Sequence, residues 1–423
     1  MTVVAFPRPR PLLAAVPVGV AIGILVVPVA VQAACPDDWV ASWVASPTAA
    51  GTWPGIVCPS QAGLQDQTVR NIVLSSVGGD RVRVRLTNAF GSQPLRIGGA
   101  AVAVAGSGAE TVPGSGRTLS FHGDPSTTIQ PGAETLSDPV PMRVDAFARL
   151  AVSVYLPDPT GPATQHLFGQ QTNYLSAGDA TRSTLATPYT TTVNCWLFVD
   201  GIDVAGNPAV AGAVVALGDS ITDGDRSTAE GGRGWPEGLA RRFNARPDRT
   251  LSVVNAGISG NELLLDRQPA LFGPSTLHRL DRDVLGQSGA RTLILLQGVN
   301  DIGGDHANAN QIVAADKEIV FRARTRGLRV FGGTLTPFGG SHEQFGGDYG
   351  TEWGERQRQA LNDWIRTGGG FDGVIDFDHA LADPAAPDRL DPRYDSGDHL
   401  HPSDAGYAAM AHAVELDPLM PTT

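Results

Sequence analysis

The feature that most constrains the fold is a change in the apolar pattern near residue 206. Before it, apolar and polar residues alternate, as in 81–86, where Val82, Val84 and Leu86 share one face. After it, continuous apolar runs alternate with stretches of helical pattern. Alternation with a period of two is typical of strands with one buried face, and continuous runs are typical of parallel strands covered on both faces. The sequence therefore predicts an antiparallel β region followed by an α/β region.

The first region has the pattern of a β-sandwich. Further strands are predicted at 68–75, 150–156 and 196–204, and clusters of Gly, Pro, Asp and Ser separate the runs. Many short alternating runs with regular turn signals indicate an antiparallel sandwich. We assign residues 35–205 to this N-terminal domain and find no catalytic constellation in its sequence.

The second region has the pattern of a parallel sheet. Its predicted strands are the apolar runs 213–217, 251–254, 292–296, 329–331 and 373–375. Helical stretches such as 311–325 and 352–366 lie between them. Five such strands predict a flavodoxin-like α/β domain over 213–423, with a five-stranded parallel sheet, helices on both faces and a linker at 206–212. In that architecture, active groups lie at the carboxyl ends of the strands.

The N-terminus has the pattern of a secretory signal peptide over residues 1–34. Arg8 and Arg10 precede an apolar stretch, 12–31, that ends in small residues. A charged start, an apolar middle and a small-residue exit predict export and cleavage. An uncleaved anchor is one alternative interpretation. Lipid attachment at Cys35 is another, although the sequence before it lacks the aliphatic residue that lipid attachment favours. A secreted protein is the expectation.

Three cysteines fit one disulfide in an oxidising compartment, with one thiol left over. Pairing of Cys58 with Cys195 would close a long loop, and pairing of Cys35 with Cys58 a short one. The sequence does not choose between them. The spacings match no zinc site.

Composition excludes several classes of protein. The chain of 423 residues has a formal charge of −12, and only 17% of its residues are charged. So low a charged fraction is not typical of coiled coils. An acidic chain is also a poor candidate for binding nucleic acid. No stretch after the N-terminal one approaches the length of a membrane span. We therefore expect neither a nucleic-acid partner nor a stable membrane span.

Three short segments carry polar groups at the predicted strand ends. Ser220, in 218–221, follows the first strand of the parallel sheet, and 255–261 and 297–301 follow the second and third. A serine on a tight turn can present its hydroxyl to a cleft, and backbone N–H groups with a fixed amide can stabilise an oxyanion. Each segment alone has an ordinary explanation, since serine caps helices and Asn and Gly form turns.

A fourth segment, 395–404, supplies a carboxylate and imidazoles near the C-terminus. Asp398 and His401 are three residues apart, so a short loop could hold the carboxylate against one imidazole nitrogen while the other faces a serine. His399 competes for the role of base. A metal site is a third interpretation with little support from the spacing.

Together and in this order, the four segments resemble the SGNH, or GDSL, family of serine esterases and lipases. The resemblance covers about 214–412 and starts at 218–221, with Ile221 where the family name has leucine. The last string is Asp-x-x-His-Pro, which favours the second of the two histidines as the base. The later blocks match at Gly260, Asn300, Asp398, His401 and Pro402.

The resemblance implies a serine-hydrolase mechanism. Ser220 would be the nucleophile, His401 its base and Asp398 the acid that orients the base. The oxyanion hole would consist of the backbone N–H groups of Ser220 and Gly260 and the side chain of Asn300. It implies no cofactor and no metal.

The implied function is a secreted serine esterase that hydrolyses carboxylic esters. The extended string 218–224 further resembles a bacterial subgroup with an N-terminal sandwich, similar to arylesterases and acylhydrolases of polysaccharide degraders. The loops expected around the site, 222–234, 303–310 and 338–350, are polar and Gly-rich. Such loops are poor at sheltering a long alkyl chain, so we expect short, acetyl-type acyl groups.

Two other functions remain open at this stage. One is a lipase or phospholipase on longer acyl chains, and the other is a carbohydrate-binding protein with a vestigial hydrolase domain. The candidate substrates are therefore an acylated polysaccharide and a lipid ester. We expect the sandwich to lie beside the active-site edge, where Trp39, Trp43 and Trp53 could stack on sugars, although core packing is the commoner use of tryptophan.

Overall fold

The computed structural model of the protein describes residues 38–368 and 370–421. The expected signal peptide, 1–34, and Cys35 lie outside the described residues. From Asp38 onward the chain forms one compact unit. In this part of the chain, no helix combines the length and the apolar character needed to cross a membrane.

Antiparallel strands make up the first part of the described chain. In chain order they are β1 (Val40–Val44), β2 (Gln67–Leu74), β3 (Gly79–Thr87), β4 (Leu95–Ile97), β5 (Gly99–Val104), β6 (Arg117–Thr118), β7 (Thr127–Ile129), β8 (Glu134–Leu136), β9 (Val140–Val144), β10 (Arg149–Leu156), β11 (Gln165–His166), β12 (Asn173–Ala177), β13 (Tyr189–Val193), β14 (Trp196–Leu197) and β15 (Val199–Ala205). One sheet has the order β1-β15-β3-β8, with β9 also on β3, and the other has the order β13-β12-β2-β10-β5-β6.

The two antiparallel sheets share one core. The inward side chains of β3 and β10, among them Val82, Val84 and Val152, are fully buried in a single apolar cluster. This is the result expected when two alternating faces pack together. A disulfide joins Cys58 to Cys195, which is one of the two pairings left open by the sequence. The predicted β-sandwich is confirmed.

The second part of the chain holds a parallel sheet. Its strands are β16 (Val210–Gly218), β17 (Thr250–Gly257), β18 (Ala290–Leu296), β19 (Arg329–Gly333) and β20 (Gly373–Ile375), followed by the short antiparallel pair β21 (Ala382–Asp383) and β22 (Ala386–Leu390). The sheet order is β17-β16-β18-β19-β20. This order is that of a flavodoxin-like fold, so the predicted fold class is confirmed.

Helices lie between the parallel strands and after the last of them. They are α1 (Ser220–Asp223), α2 (Trp235–Asn244), α3 (Thr276–Leu280), α4 (Val299–Asp305), α5 (Ala309–Thr325), α6 (His342–Phe345), α7 (Glu352–Thr367), α8 (Phe377–Leu381) and α9 (Asp404–Ala413). The longest begins with a capping box, in which the Asn308 side chain accepts from the backbone of Gln311 and the Gln311 side chain accepts from the backbone of Asn308. This cap fixes the start of α5, four residues after the end of α4.

The linker between the two parts is shorter than the sequence suggests. β16 begins at Val210, inside the expected linker 206–212, because Val210 pairs with Thr250 of β17. The outward arginines of β3 also meet the second part of the chain. Arg85 donates to the Gln287 side chain at 2.9 Å, and Arg83 donates to the Ser288 hydroxyl at 3.0 Å. The polar face of this sheet therefore packs against the α/β part of the chain.

Candidate active site

Ser220 lies on a tight turn directly after β16, an inner strand of the parallel sheet. A glycine is required at 218, because a Cβ there would lie 2.2 Å from the Thr222 hydroxyl and 2.5 Å from a backbone carbonyl of β18. The cap of the following helix is Asp219, whose side chain accepts from the Ile221 N–H at 3.0 Å. Since Asp219 fills the capping role, the Ser220 hydroxyl is free for another partner.

That partner is His401. The Ser220 Oγ lies 2.9 Å from His401 Nε2, and His401 Nδ1 lies 2.8 Å from Asp398 Oδ2. The other carboxylate oxygen of Asp398 accepts from the backbone N–H groups of Leu400 and His401, at 3.0 and 2.8 Å. A carboxylate held by two backbone donors fixes the imidazole in one orientation, as in serine-hydrolase triads.

His399 has a different environment. Its Nδ1 lies 2.6 Å from Asp395 Oδ2, and 52% of its side chain is exposed, against 6% for His401. Only one of the two candidate histidines therefore contacts Ser220.

Charges around the imidazole shift two pKa values in opposite directions. Burial lowers the pKa of His401, but the hydrogen bond to Asp398 and the negative charge of Asp225 outweigh it, so the pKa lies above its usual 6.5. Burial raises the pKa of Asp398, yet its hydrogen bonds to His401 hold that pKa well below the usual range. Arg226 Nε also donates to Asp398 Oδ2 at 3.0 Å. The pair is therefore built to hold a charged imidazolium.

The residues expected for the oxyanion hole lie on the neighbouring loops. Gly260 has a φ of +75° and packs against Phe272, whose ring would lie 2.4 Å from a Cβ at this position. Asn300 Nδ2 donates to the carbonyl of Asn261 at 2.9 Å, which ties the start of α4, after β18, to the loop after β17. The Tyr349 hydroxyl donates to Asn300 Oδ1 at 2.6 Å. The amide of Asn300 is therefore held from both ends.

A buried arginine joins the strand ends that carry these loops. Arg279 is fully buried and donates to the carbonyls of Gly218 and Ala256, at 2.8 and 2.7 Å. It also donates to the Asn261 side chain at 2.9 Å and pairs with Asp283 at 3.1 Å. Burial of an ion pair is tolerated only when further hydrogen bonds satisfy its donors, which is the case here. Nothing in its local sequence distinguishes this arginine, and the sequence analysis missed it.

The loop 338–350 contributes aromatic side chains as well as polar ones. The Phe345 ring meets the His401 ring edge-on, with centroids 5.7 Å apart. Tyr349 is buried against Asn300, and Phe338 is fully buried in the core. The loop therefore packs its aromatic residues against the site, a feature that its glycine content does not indicate.

One tryptophan of the sandwich part lies near the loop that follows β17. Trp39 and Trp43 are buried, whereas Trp53 is 43% exposed. The Trp53 ring lies edge-on to Phe272, with centroids 5.4 Å apart, and Phe272 is the residue that packs on Gly260. Of the three candidate tryptophans, only Trp53 could meet a ligand here.

The α/β part of the chain matches a known family. Residues 216–409 match the model of the GDSL-like lipase/acylhydrolase family. The chain carries a GDSL-like lipase/acylhydrolase domain. It is therefore a carboxylic ester hydrolase, as the sequence analysis predicted. The matched GDSL domain includes the first block at Ser220 and the last at His401.

Comparison with solved structures finds distant neighbours that match about half of the chain. An aryl esterase from M. smegmatis is 16% identical, with a TM-score of 0.38, and the match covers 48% of this chain and 96% of that one. A carbohydrate acetylesterase from Sinorhizobium meliloti is 16% identical, with a TM-score of 0.37 and coverages of 48% and 95%. A GDSL-like lipase from Bacteroides thetaiotaomicron is 18% identical, with a TM-score of 0.36 and coverages of 48% and 85%. No curated protein matches the sequence.

Proposed function

We propose that the protein is a serine esterase that works through an acyl-enzyme. The observation that carries the proposal is the continuous line of hydrogen bonds from Ser220 through His401 to Asp398. The Ser220 hydroxyl attacks the ester carbon while His401 Nε2 accepts its proton, and His401 then returns the proton to the leaving alcohol. Water, activated by the same imidazole, releases the acid. Asp398 stabilises the imidazolium in both halves of the reaction.

When the serine attacks, a negative charge develops on the carbonyl oxygen of the ester. Hydrogen-bond donors that are already in place must stabilise this charge. We assign this role to the backbone N–H groups of Ser220 and Gly260 and to the Asn300 side chain. The assignment is supported by the sheet, since the segments that carry these residues follow the adjacent strands β16, β17 and β18. The close packing at Gly260 and the two bonds of Asn300 give the donors little freedom to reorganise, which is the property an oxyanion hole requires.

Hydrolysis of p-nitrophenyl acetate by the full chain tests the function itself. A serine esterase releases p-nitrophenol at a rate that a serine-directed organophosphate abolishes. Absence of hydrolysis over a range of pH values and acyl lengths would favour the alternative of a carbohydrate-binding protein with a vestigial hydrolase domain.

The hydrogen bond between Tyr349 and the Asn300 amide predicts that variants at these two positions are coupled. Asn300→Ala is expected to lower kcat by about 10²–10³-fold with little change in KM, because one oxyanion donor is lost. Tyr349→Phe is expected to lower kcat by about 3–10-fold, because the amide keeps its place but loses one neutral hydrogen bond. In the Asn300→Ala background, Tyr349→Phe should have no further effect on kcat. Steady-state kinetics of the four proteins measure this coupling.

The matched control for that pair is Tyr155→Phe, which removes a hydrogen bond to Asp66 on the sandwich. It should leave kcat at the wild-type value. Additive losses in the double variant Asn300→Ala/Tyr349→Phe would mean that Tyr349 acts on the fold and not through the amide.

Acyl length separates the esterase from the lipase alternative. We propose short acyl groups, acetyl to butyryl, because the loops around the site are polar and Gly-rich and Tyr349 is buried against Asn300. Each methylene left in water forgoes about 0.8 kcal/mol. In a p-nitrophenyl ester series from acetate to palmitate, kcat/KM should be highest between acetate and butyrate. A maximum at octanoate or longer would overturn the short-acyl proposal.

We also propose that the protein is exported. The support from the described residues is the Cys58–Cys195 disulfide, a bond that is rare in reducing compartments. N-terminal sequencing of protein recovered from the medium of the producing cells should find a start close to Cys35.

A further inference from the structure

Asp225 is a carboxylate fixed beside the proposed base. Its Oδ2 lies 3.8 Å from His401 Nε2, and its Oδ1 accepts from the Arg226 N–H at 2.8 Å. Its backbone is also held, because its N–H donates to the Ser220 carbonyl at 3.0 Å and its carbonyl accepts from the Tyr407 hydroxyl at 2.5 Å. The side chain is 27% exposed, so the carboxylate is open to solvent from a defined position.

The negative charge of Asp225 is not cancelled by the neighbouring arginine. The guanidinium of Arg226 donates to Asp398, on the far side of the imidazole. Within residues 38–368 and 370–421, the cationic group that lies within 4.0 Å of the Asp225 carboxylate is His401 alone, and its distance of 3.8 Å exceeds that of a hydrogen bond. Asp225 Oδ2 therefore keeps lone pairs that a ligand can use.

The chemistry of the reaction tells which part of the substrate Asp225 meets. His401 Nε2 must give its proton to the leaving oxygen, so the alcohol lies within hydrogen-bond reach of that nitrogen. A group 3.8 Å from Nε2 faces the atoms next to the leaving oxygen and not the acyl chain. Phe345, edge-on to the same imidazole at 5.7 Å, adds apolar surface on this side.

We propose that Asp225 and Phe345 form a subsite for the leaving alcohol that selects neutral alcohols with a free hydroxyl beside the ester, as in a partly acylated sugar or polyol. Asp225 Oδ2 accepts the hydrogen bond from that hydroxyl, and Phe345 contacts the C–H face. The proposal rests on the proposed esterase function. The same charge repels an anionic group next to the ester, which disfavours phospholipids as substrates.

The test compares two esters on each enzyme. A methyl xyloside with one acetyl group and a free neighbouring hydroxyl is paired with the same compound lacking that hydroxyl. For Asp225→Ala, the ratio of the two kcat/KM values should fall by about 10–100-fold, the loss expected for a hydrogen bond to a charged acceptor. Asp225→Asn, which retains an acceptor oxygen, should lose less. Asp248→Asn, which removes an exposed charge elsewhere, should keep the wild-type ratio.

The ratio of the two kcat/KM values distinguishes recognition of the hydroxyl by Asp225 from a change in the pKa of His401. Both esters depend equally on His401, so a shift in its pKa changes both rates together and leaves their ratio unaltered. An unaltered ratio in Asp225→Ala would overturn the proposal. So would a wild-type preference for acetylcholine that both Asp225 variants lose, because the subsite would then take a cation. Failure of the esterase function itself would appear separately, as activity that does not depend on Ser220.

Discussion

Ser220→Ala is expected to lower kcat on p-nitrophenyl acetate by about 10⁴-fold or more, with a melting temperature close to that of the wild type. The loss is large because nucleophile, base and acid act as a unit, and removal of one leaves only binding and the oxyanion hole. The fold should persist because the side chain loses one hydrogen bond, to His401, while the cap of the turn is Asp219. Steady-state kinetics and thermal unfolding followed by circular dichroism measure the two quantities.

Ser227→Ala is the matched control for that variant. It removes a hydroxyl from the loop that follows Ser220 and should leave kcat at the wild-type value. A serine-directed organophosphate should modify the wild type at Ser220, as mapped by peptide mass spectrometry. Activity within about tenfold of wild type in Ser220→Ala, or modification at another serine, would show that the nucleophile is elsewhere.

Periodicity was sufficient to predict the architecture. Alternating runs such as 81–86 place one face in a core by geometry alone, and short continuous runs such as 213–217, alternating with helical stretches, are typical of strands covered on both sides. The candidate triad could also be predicted from the sequence, because Ser220 follows a strand and Asp398 and His401 share one short segment. These signals are local in the chain, so a single sequence contains them.

Features that depend on distant contacts were not predictable. Tyr349 and Asn300 are joined by a hydrogen bond across two loops, and no spacing rule relates them. Arg85 belongs to a polar face that the alternation assigns to solvent, yet it packs against Gln287 of the α/β part. Asp225 lies close to Ser220 in the sequence, but its place beside His401 depends on how the turn after the helix folds. Tertiary packing decides each of these positions.

His401→Ala is expected to lower kcat by about 10³–10⁶-fold, whereas His399→Ala should change it by less than about tenfold. The reason is geometric, since His401 contacts both Ser220 and Asp398 while the exposed ring of His399 pairs with Asp395. The base must be neutral to accept a proton, and its pKa is raised above 6.5. The kcat/KM of the wild type should therefore be maximal at alkaline pH and decline as the pH falls through a midpoint above 6.5. This decline is the acid limb of the pH profile.

The two histidine variants and the pH profile together test the base. His399→Ala should retain the acid limb of the wild type at the same midpoint, because its ring does not contact the nucleophile. If the two variants were equally impaired, or if His399→Ala abolished the fall in activity at low pH, the assignment of His401 as the base would be wrong. In that case the line from Ser220 to Asp398 would describe a resting arrangement of the side chains and not the path of the proton.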